Sequence, residues 1–228
     1  LVVDLPEVAE LDVNPLYADA DGVLALDARI KLVASRQRGA ERLSISPYPQ
    51  HLEECFTTRA GRKVLLRPIR PEDEPAHMAF FHALSPEDVR FRFFNLVREL
   101  PHTEMARFTQ IDYDREMAFI AVAPGADGKE ETLAVVRVVA DPDNERAEFA
   151  IVVRSDLKAQ GIGHALLQKM IDYCKSRGTK TIVGQVLADN QPMRDMAHNL
   201  GFKARALPHD EAIEVVLDLA SAEHKAQI

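Results

Sequence analysis

Two cysteines, Cys55 and Cys174, are all that the 228 residues contain, and they lie far apart without metal-ligand spacing. That excludes a disulfide framework and fits a reducing compartment. Cys174 falls in an amphipathic segment, where a buried thiol is expected. No apolar run reaches membrane-spanning length and no signal-peptide pattern opens the chain, so no membrane role is read and a cytoplasmic location is expected. Positive charge is the minority sign: 28 Lys and Arg against 36 Asp and Glu give a net charge of −8. This argues against nucleic acid as the main partner and suits a basic one, such as an exposed lysine. There is no internal repeat and no low-complexity segment. The chain opens on Leu1 rather than Met, mid-pattern, and is expected to be a piece of a longer protein.

What the chain does contain is concentrated in residues 147–178, AEFAIVVRSDLKAQGIGHALLQKMIDYCKSRG. Phe149, Ile151 and Val153 alternate as a strand requires. Ala165, Leu166, Met170 and Tyr173 then recur at helical spacing, with Gly178 placed as a C-cap. Between them, Gln160-Gly161-Ile162-Gly163 sets backbone without side chains at the opening of a helix. Exposed N–H groups and the positive end of the helix dipole favour a phosphate there. Two glycines before a helix can equally be a plain strand-to-helix turn. A second pattern follows: a strand over 180–187, then Asn190, then a helix opened by Gln191-Pro192 and closed at Leu200-Gly201-Phe202.

The two patterns together resemble the acyl-CoA-binding core of the GCN5-related N-acetyltransferases, whose loop reads Gln/Arg-x-x-Gly-x-Gly/Ala. Here that loop is Lys158-Ala159-Gln160-Gly161-Ile162-Gly163, followed by His164 and Ala165. Lysine stands at the first position, a point charge in place of a fork. The resemblance implies an α/β (α+β) fold: a mixed, mostly antiparallel central sheet flanked by helices.

The remaining organisation fits that plan, whose order is strand, two or three helices, three antiparallel strands, helix, strand, helix and a last strand. Strands are read over 51–59 and 63–68 around Ala60-Gly61, and a helix over 71–84. Another helix begins after Ser85, with Pro86 at its first position, and carries Arg90 and Arg92. A further helix around 103–110 precedes antiparallel strands at 117–123 and 132–140. The domain spans 51–220, with a tail at 221–228. A polar connector with Pro47 and Pro49 is read over 34–50.

Ahead of the connector, residues 8–15 and 23–30 read as two strands joined by an acidic turn at 18–22. This short β-hairpin resembles the last hairpin of the ATP-grasp domain in NDP-forming acyl-CoA synthetases. In that family the positions matching Asn14 and Asp27 hold Mg²⁺, and oxygen ligands are what that ion prefers. The lysine, glycine loop and adenine pocket of such a site are missing from the sequence. Residues 1–33 are therefore read as a remnant, Asn14 and Asp27 as vestigial, and no metal is expected. A synthetase-like ATP-grasp region joined to an acetyltransferase domain is the plan of the bacterial multidomain protein lysine acetyltransferases. The resemblance thus implies acetyl-CoA as co-substrate, an acceptor protein with a reactive lysine (an acyl-CoA synthetase), and regulation by upstream domains. An oligomer stays open.

The chemistry follows from the acceptor. Only about one lysine amine in 2,500 is neutral at pH 7, so a base must take a proton away. A carboxylate on a partly apolar strand serves, since burial raises its pKa toward the working pH. By the resemblance Glu148 is that base; it could instead be a solvated strand acid or a partner of Arg146 or Arg137. The backbone N–H of Ile151 would face the thioester oxygen. Val152 and Val153 would run beside the pantetheine arm, and the amides from Gln160 to Ala165, with Lys158, would hold the diphosphate. Asn190 and Met193 would form the opposite wall. His164 could touch a phosphate or be solvated, and Arg90 and Arg92 could dock acids near the target or be solvated. Where many members place a tyrosine acid, Ala197 stands; a thiolate with pKa near 8.5 leaves with little help. His198, beside it, points elsewhere on the helix. A small-amine acetyltransferase and a non-catalytic acyl-CoA sensor remain the rival readings.

Overall fold

The computed structural model describes residues 1–35, 43, 45–95, 97, 99–126, 128–206 and 211–220. Residues 36–42 and 44 of the connector read over 34–50, and all of the tail at 221–228, lie outside them. The chain divides into two compact units, Leu1–Pro47 and Tyr48–Ile228.

In the first unit the expected two strands are four. β1 (Val8–Val13) pairs antiparallel with β4 (Ala28–Leu32), and β2 (Leu16–Asp19) with β3 (Gly22–Ala25). Both arms of the hairpin are interrupted at one level, Asn14-Pro15 facing Leu26-Asp27. Proline has no N–H for the ladder. Pro15 accepts from the Leu26 N–H (3.1 Å), and Asn14 donates to the Asp27 carbonyl (3.2 Å). The tip closes because Asp19 Oδ1 accepts from the N–H groups of Asp21 (2.9 Å) and Gly22 (3.1 Å), the local bonding that fits Asp to turns.

The second unit is built on one eight-stranded sheet in the order β11-β12-β10-β9-β8-β7-β6-β5. Its strands are β5 (Glu54–Thr57), β6 (Lys63–Pro68), β7 (Glu116–Pro124), β8 (Glu130–Ala140), β9 (Arg146–Val153), β10 (Thr181–Leu187), β11 (Lys203–Ala206) and β12 (Ala212–Asp218). Every neighbouring pair is antiparallel except β9 with β10. That exception follows from the helix α4 (Ile162–Ser176), which carries the chain back for a parallel return. The sheet therefore is the mixed, mostly antiparallel one expected.

Three details differ from the sequence expectation. A 3₁₀ turn at Gln50–Leu52 delays the first strand to Glu54. The helix expected over 71–84 is a 3₁₀ turn, Pro71–Asp73, followed by α1 (Glu74–His82). Asp73 takes a fork of two hydrogen bonds from buried Arg67, at 2.7 and 2.8 Å, and this fixes the turn against β6. The final strand is a pair, with β12 inserted between β11 and β10.

Helices cover both faces. On one, Leu166, Leu167 and Met170 of α4 bury against Phe119, Leu133 and Ile182. On the other, Phe80 of α1 meets Ile120 and Val135. Phe81, Val89 and Met105 join α1 to α2 (Pro86–Phe93) and α3 (His102–Thr109). β7 lies between the two cores, so its Met117–Ala123 run is buried on both sides and reads as continuous apolar sequence.

Candidate active site

β9 pairs with β8 from Ala147 to Val153, but with β10 only from Arg146 to Glu148. Beyond Glu148 the two parallel strands part. The Arg154 N–H donates to the Leu133 carbonyl of β8 (2.9 Å). Strand alternation then turns the N–H groups of Phe149, Ile151 and Val153 away from β8 and into the gap. Gly184 marks the point of separation: a Cβ there would lie 2.4 Å from the Phe149 ring. Ile151 and Val153 thus turn backbone N–H groups that β8 does not use into a slot. Val152 does not join them, since its backbone pairs with Val135 and its side chain faces the α1–α3 side of the sheet.

The loop after β9 leads to a close-packed helix start. Gly161 occupies the left-handed region at φ 87°, as the residue preceding α4. Gly163 lets α4 approach β9, for a Cβ there would sit 3.2 Å from Val153 Cγ2 and 3.5 Å from Met196 Sδ. The helix leaves its first N–H groups, Gly161 through His164, without intrahelical partners, and these can receive an anion. His164 lies exposed on that first turn.

Ala165 corrects the expected amide cradle, while the carbonyl and side chain of Gln160, though not its N–H, are engaged elsewhere. The Ala165 N–H already donates to the Gly161 carbonyl (3.0 Å). Gln160 serves the β5–β6 turn: its carbonyl accepts from the Arg59 N–H (3.0 Å) and its Oε1 from the Ala60 N–H (3.1 Å). Lys158 is also engaged, donating to Asp88 Oδ1 at 2.5 Å. Asp88 is buried and further accepts from Ser85 and Ser155. Burial alone would raise its pKa, but the hydrogen bonds from Lys158, Ser155 and Ser85 outweigh it and hold the carboxyl below the usual range.

One cation at this loop had no signal in the loop pattern. Arg59, exposed on the β5–β6 turn, donates from Nη1 to the Ala159 carbonyl at 3.3 Å. It reaches the loop from one hundred residues upstream, through the sheet and not through local spacing.

On the opposite wall, α5 (Gln191–Asn199) is capped by Asn190, whose Oδ1 accepts from the Met193 N–H at 3.2 Å. Met193 is half-buried against the core. Ala197 is buried and His198 exposed, so neither supplies an acid to the slot. Cys174 is buried, which pushes its thiol up to about 12 and removes it as a nucleophile.

Glu148 stands at the level where β9 and β10 separate, opposite Val139 on one side and Val183 on the other. It is exposed, not sunk in the apolar surround the sequence suggested. The two arginines considered as its partners are taken: Arg146 by Glu214 (2.6 Å), and Arg137 by Glu116 and the Phe108 carbonyl. Among the described residues Glu148 forms no ion pair. Its charge favours the cation of Arg92. The solvated reading of the α2 arginines also changes: Arg90 pairs with Asp189, and Arg92 turns into a cavity under α1–α3.

Asn14 and Asp27 face each other through backbone only. Among the described residues no three His, Cys, Asp or Glu side chains gather as a metal site, and no helix is long and apolar enough to cross a membrane.

Comparison with known proteins bears on this geometry. Residues 81–202 match the acetyltransferase (GNAT) family, and residues 1–32 match the ATP-grasp domain. Acetyltransferase PA5475 of Pseudomonas aeruginosa is 31% identical over 160 residues, 70% of this chain and 85% of that protein. The [ribosomal protein bS18]-alanine N-acetyltransferase of Escherichia coli is 37% identical over 76 residues, 33% of this chain and 49% of that protein. Among solved structures, the GNAT domain of S. lividans PAT superposes with a TM-score of 0.68 at 25% identity, over 75% of this chain and 99% of that one.

Proposed function

The chain belongs to the acetyltransferase (GNAT) family, and from that premise we propose that it transfers acetyl from acetyl-CoA to lysine side chains of proteins, acyl-CoA synthetases first among them. The observation that carries the reading is the separation of β9 from β10 immediately past Glu148, which places a carboxylate at the head of a slot lined by backbone N–H groups that β8 does not use. The ATP-grasp match in the same chain, with its resemblance to the synthetase-fused lysine acetyltransferases, supports a synthetase as acceptor.

Each residue has a task in this scheme. Glu148 takes a proton from the acceptor ammonium, directly or through one water; its exposure leaves it open to an incoming side chain. The freed amine attacks the thioester carbonyl carbon, a C–N bond forms, and the C–S bond breaks to release CoA thiolate, while the nitrogen gives up its second proton to that thiolate through solvent, leaving a neutral amide and the free thiol. The Ile151 N–H is the donor for the carbonyl oxygen as negative charge develops. Val153 backbone lines the pantetheine arm, and the open N–H groups of Gly161 to His164 receive phosphate oxygens. Asn190 and Met193 close the far side. With Ala197 buried, the thiolate leaves without a tyrosine acid.

The test is release of free thiol from acetyl-CoA with a purified acyl-CoA synthetase, comparing the wild-type chain with Glu148→Gln. Release that falls at least a hundredfold in the variant, within the usual range for an acid–base group, with acetyl-lysine found on the acceptor, supports the scheme. Turnover with free polyamines but not with protein would replace it by the small-amine reading. Acetyl-CoA binding without release to any amine would leave a sensor.

A further inference from the structure

Between α1, α2, α3 and the β8–β9 part of the sheet lies a cavity of about 30 Å³, room for about two or three water-sized groups, the size of a carboxylate. Phe80, Phe81, Phe93, Val135 and Val152 make its walls largely apolar. Among the described residues three nitrogen-bearing side chains enter it, His77, Arg92 and Arg137, and no acid lines it. Arg137 is satisfied by Glu116 and the Phe108 carbonyl. Arg92 is not. Among the described residues it donates no hydrogen bond and forms no ion pair, and its guanidinium carbon lies 4.9 Å from the Phe93 ring centre. His77 is 6% exposed and its Nδ1 has no hydrogen-bond partner.

A guanidinium held among aromatic rings without an ion pair or hydrogen-bonded partner is costly, since burial removes water and Glu148 favours its charge only from beyond ion-pair range. Arg92 is half-buried, not sealed from solvent, so a counter-ion can arrive from outside. We propose that this cavity receives a carboxylate of the acceptor, an Asp or Glu side chain flanking the lysine to be acetylated, with Arg92 as its main donor. The proposal rests on the protein-lysine reading above. Arg92 offers the fork that suits a carboxylate, and His77 Nδ1, in the tautomer that carries its proton there, is the second donor. Ala150 and Val152, which line the cavity, share a strand face with Glu148. Alternate residues on a strand are about 7 Å apart, so the cavity lies about 7–14 Å from the base. That matches neighbouring side chains on an extended peptide and is too far for an amino acid attacking through its own α-amine.

The experiment measures kcat/KM for lysine peptides that carry Glu or the isosteric Gln beside the lysine, with wild type, Arg92→Gln and Arg92→Lys. Wild type is expected to prefer the acidic peptide by about tenfold or more, the yield of a charge-assisted hydrogen bond. Arg92→Gln should erase the preference and Arg92→Lys restore part of it. Equal rates for the two peptides in wild type would overturn the proposal even if neither variant folds. A preference that survives in Arg92→Gln would overturn it as well. If no peptide reacts while free amines do, the protein-lysine reading itself fails. Diamines with and without a carboxylate then pose the same question, and equal rates for the two overturn the cavity's role.

Discussion

Lys158 Nζ and Asp88 Oδ1 are 2.5 Å apart, and through them the loop that opens α4 is tied to the N-terminus of α2. The acid is buried and the lysine half-exposed, so the pair joins the phosphate-side loop to the helix that carries Arg90 and Arg92. Lysine at the first loop position therefore has a structural partner that an arginine, with its planar fork, would engage differently.

Asp88→Asn should lower stability by about 1–3 kcal/mol, since it weakens the three side-chain contacts to one buried carboxylate while Lys158 keeps access to water. The pH dependence has a defined sign. The folded-state pKa of Asp88 lies below its ordinary value, so its contribution is complete above about pH 4. It is lost as pH falls through the lower folded value. Urea midpoints between pH 6 and pH 3 should therefore fall more steeply for wild type than for Asp88→Asn, and parallel curves would remove the assignment.

Gly184 is required by the Phe149 ring, not by the backbone. A methyl group at 2.4 Å from a buried aromatic carbon has no flexible end to displace. Gly184→Ala is expected to cost about 1–3 kcal/mol, the usual range for overpacking. Gly184→Ala combined with Phe149→Leu should recover most of that loss in a double-mutant cycle. Additive losses would show that the ring does not set the strand separation.

His77 makes the molecule less stable in mild acid. Burial, followed by the nearby Arg137 charge, lowers its pKa from 6.5 to about 4, against the opposing pull of Asp73; Arg92 acts in the same direction as Arg137. In the unfolded chain it takes a proton below about pH 6.5, while in the folded chain it stays neutral until about pH 4. Stability should decline across that window and level off below it. His77→Phe lacks this component, so the gap between the two proteins' urea midpoints should narrow or reverse from pH 7.5 to pH 5.

Much of the fold is legible in the sequence because local signals and packing agree. Ser85 with Pro86, the alternation of Phe149, Ile151 and Val153, and Gly178 after α4 each state in residues what the backbone does. What was not legible depends on partners distant in sequence. The interruption of the N-terminal hairpin follows from Pro15 meeting Leu26 across the ladder. Arg90 and Arg92 look alike on a helix, yet one meets Asp189, ninety-nine residues away, and the other enters a cavity roofed by α1 and α3. The exposure of Glu148 likewise depends on which strands stop pairing beside it, a matter of register between β9 and β10.

Arg59 belongs to the same class, and its role can be measured. It lies on the β5–β6 turn, and its Nη1 donates to the Ala159 carbonyl of the loop at 3.3 Å. That places an exposed guanidinium next to the open N–H groups of Gly161 to His164. With Lys158 held by Asp88, Arg59 is the fork-shaped cation available to a diphosphate there. Arg59→Ala should raise KM for acetyl-CoA by about 3- to 10-fold, the scale of one exposed charge contact, and leave kcat little changed. Arg59→Lys should recover part of the affinity, and the penalty should shrink at high salt as screening weakens the contact in wild type. A lower kcat at unchanged KM would show instead that Arg59 acts by holding the loop in shape.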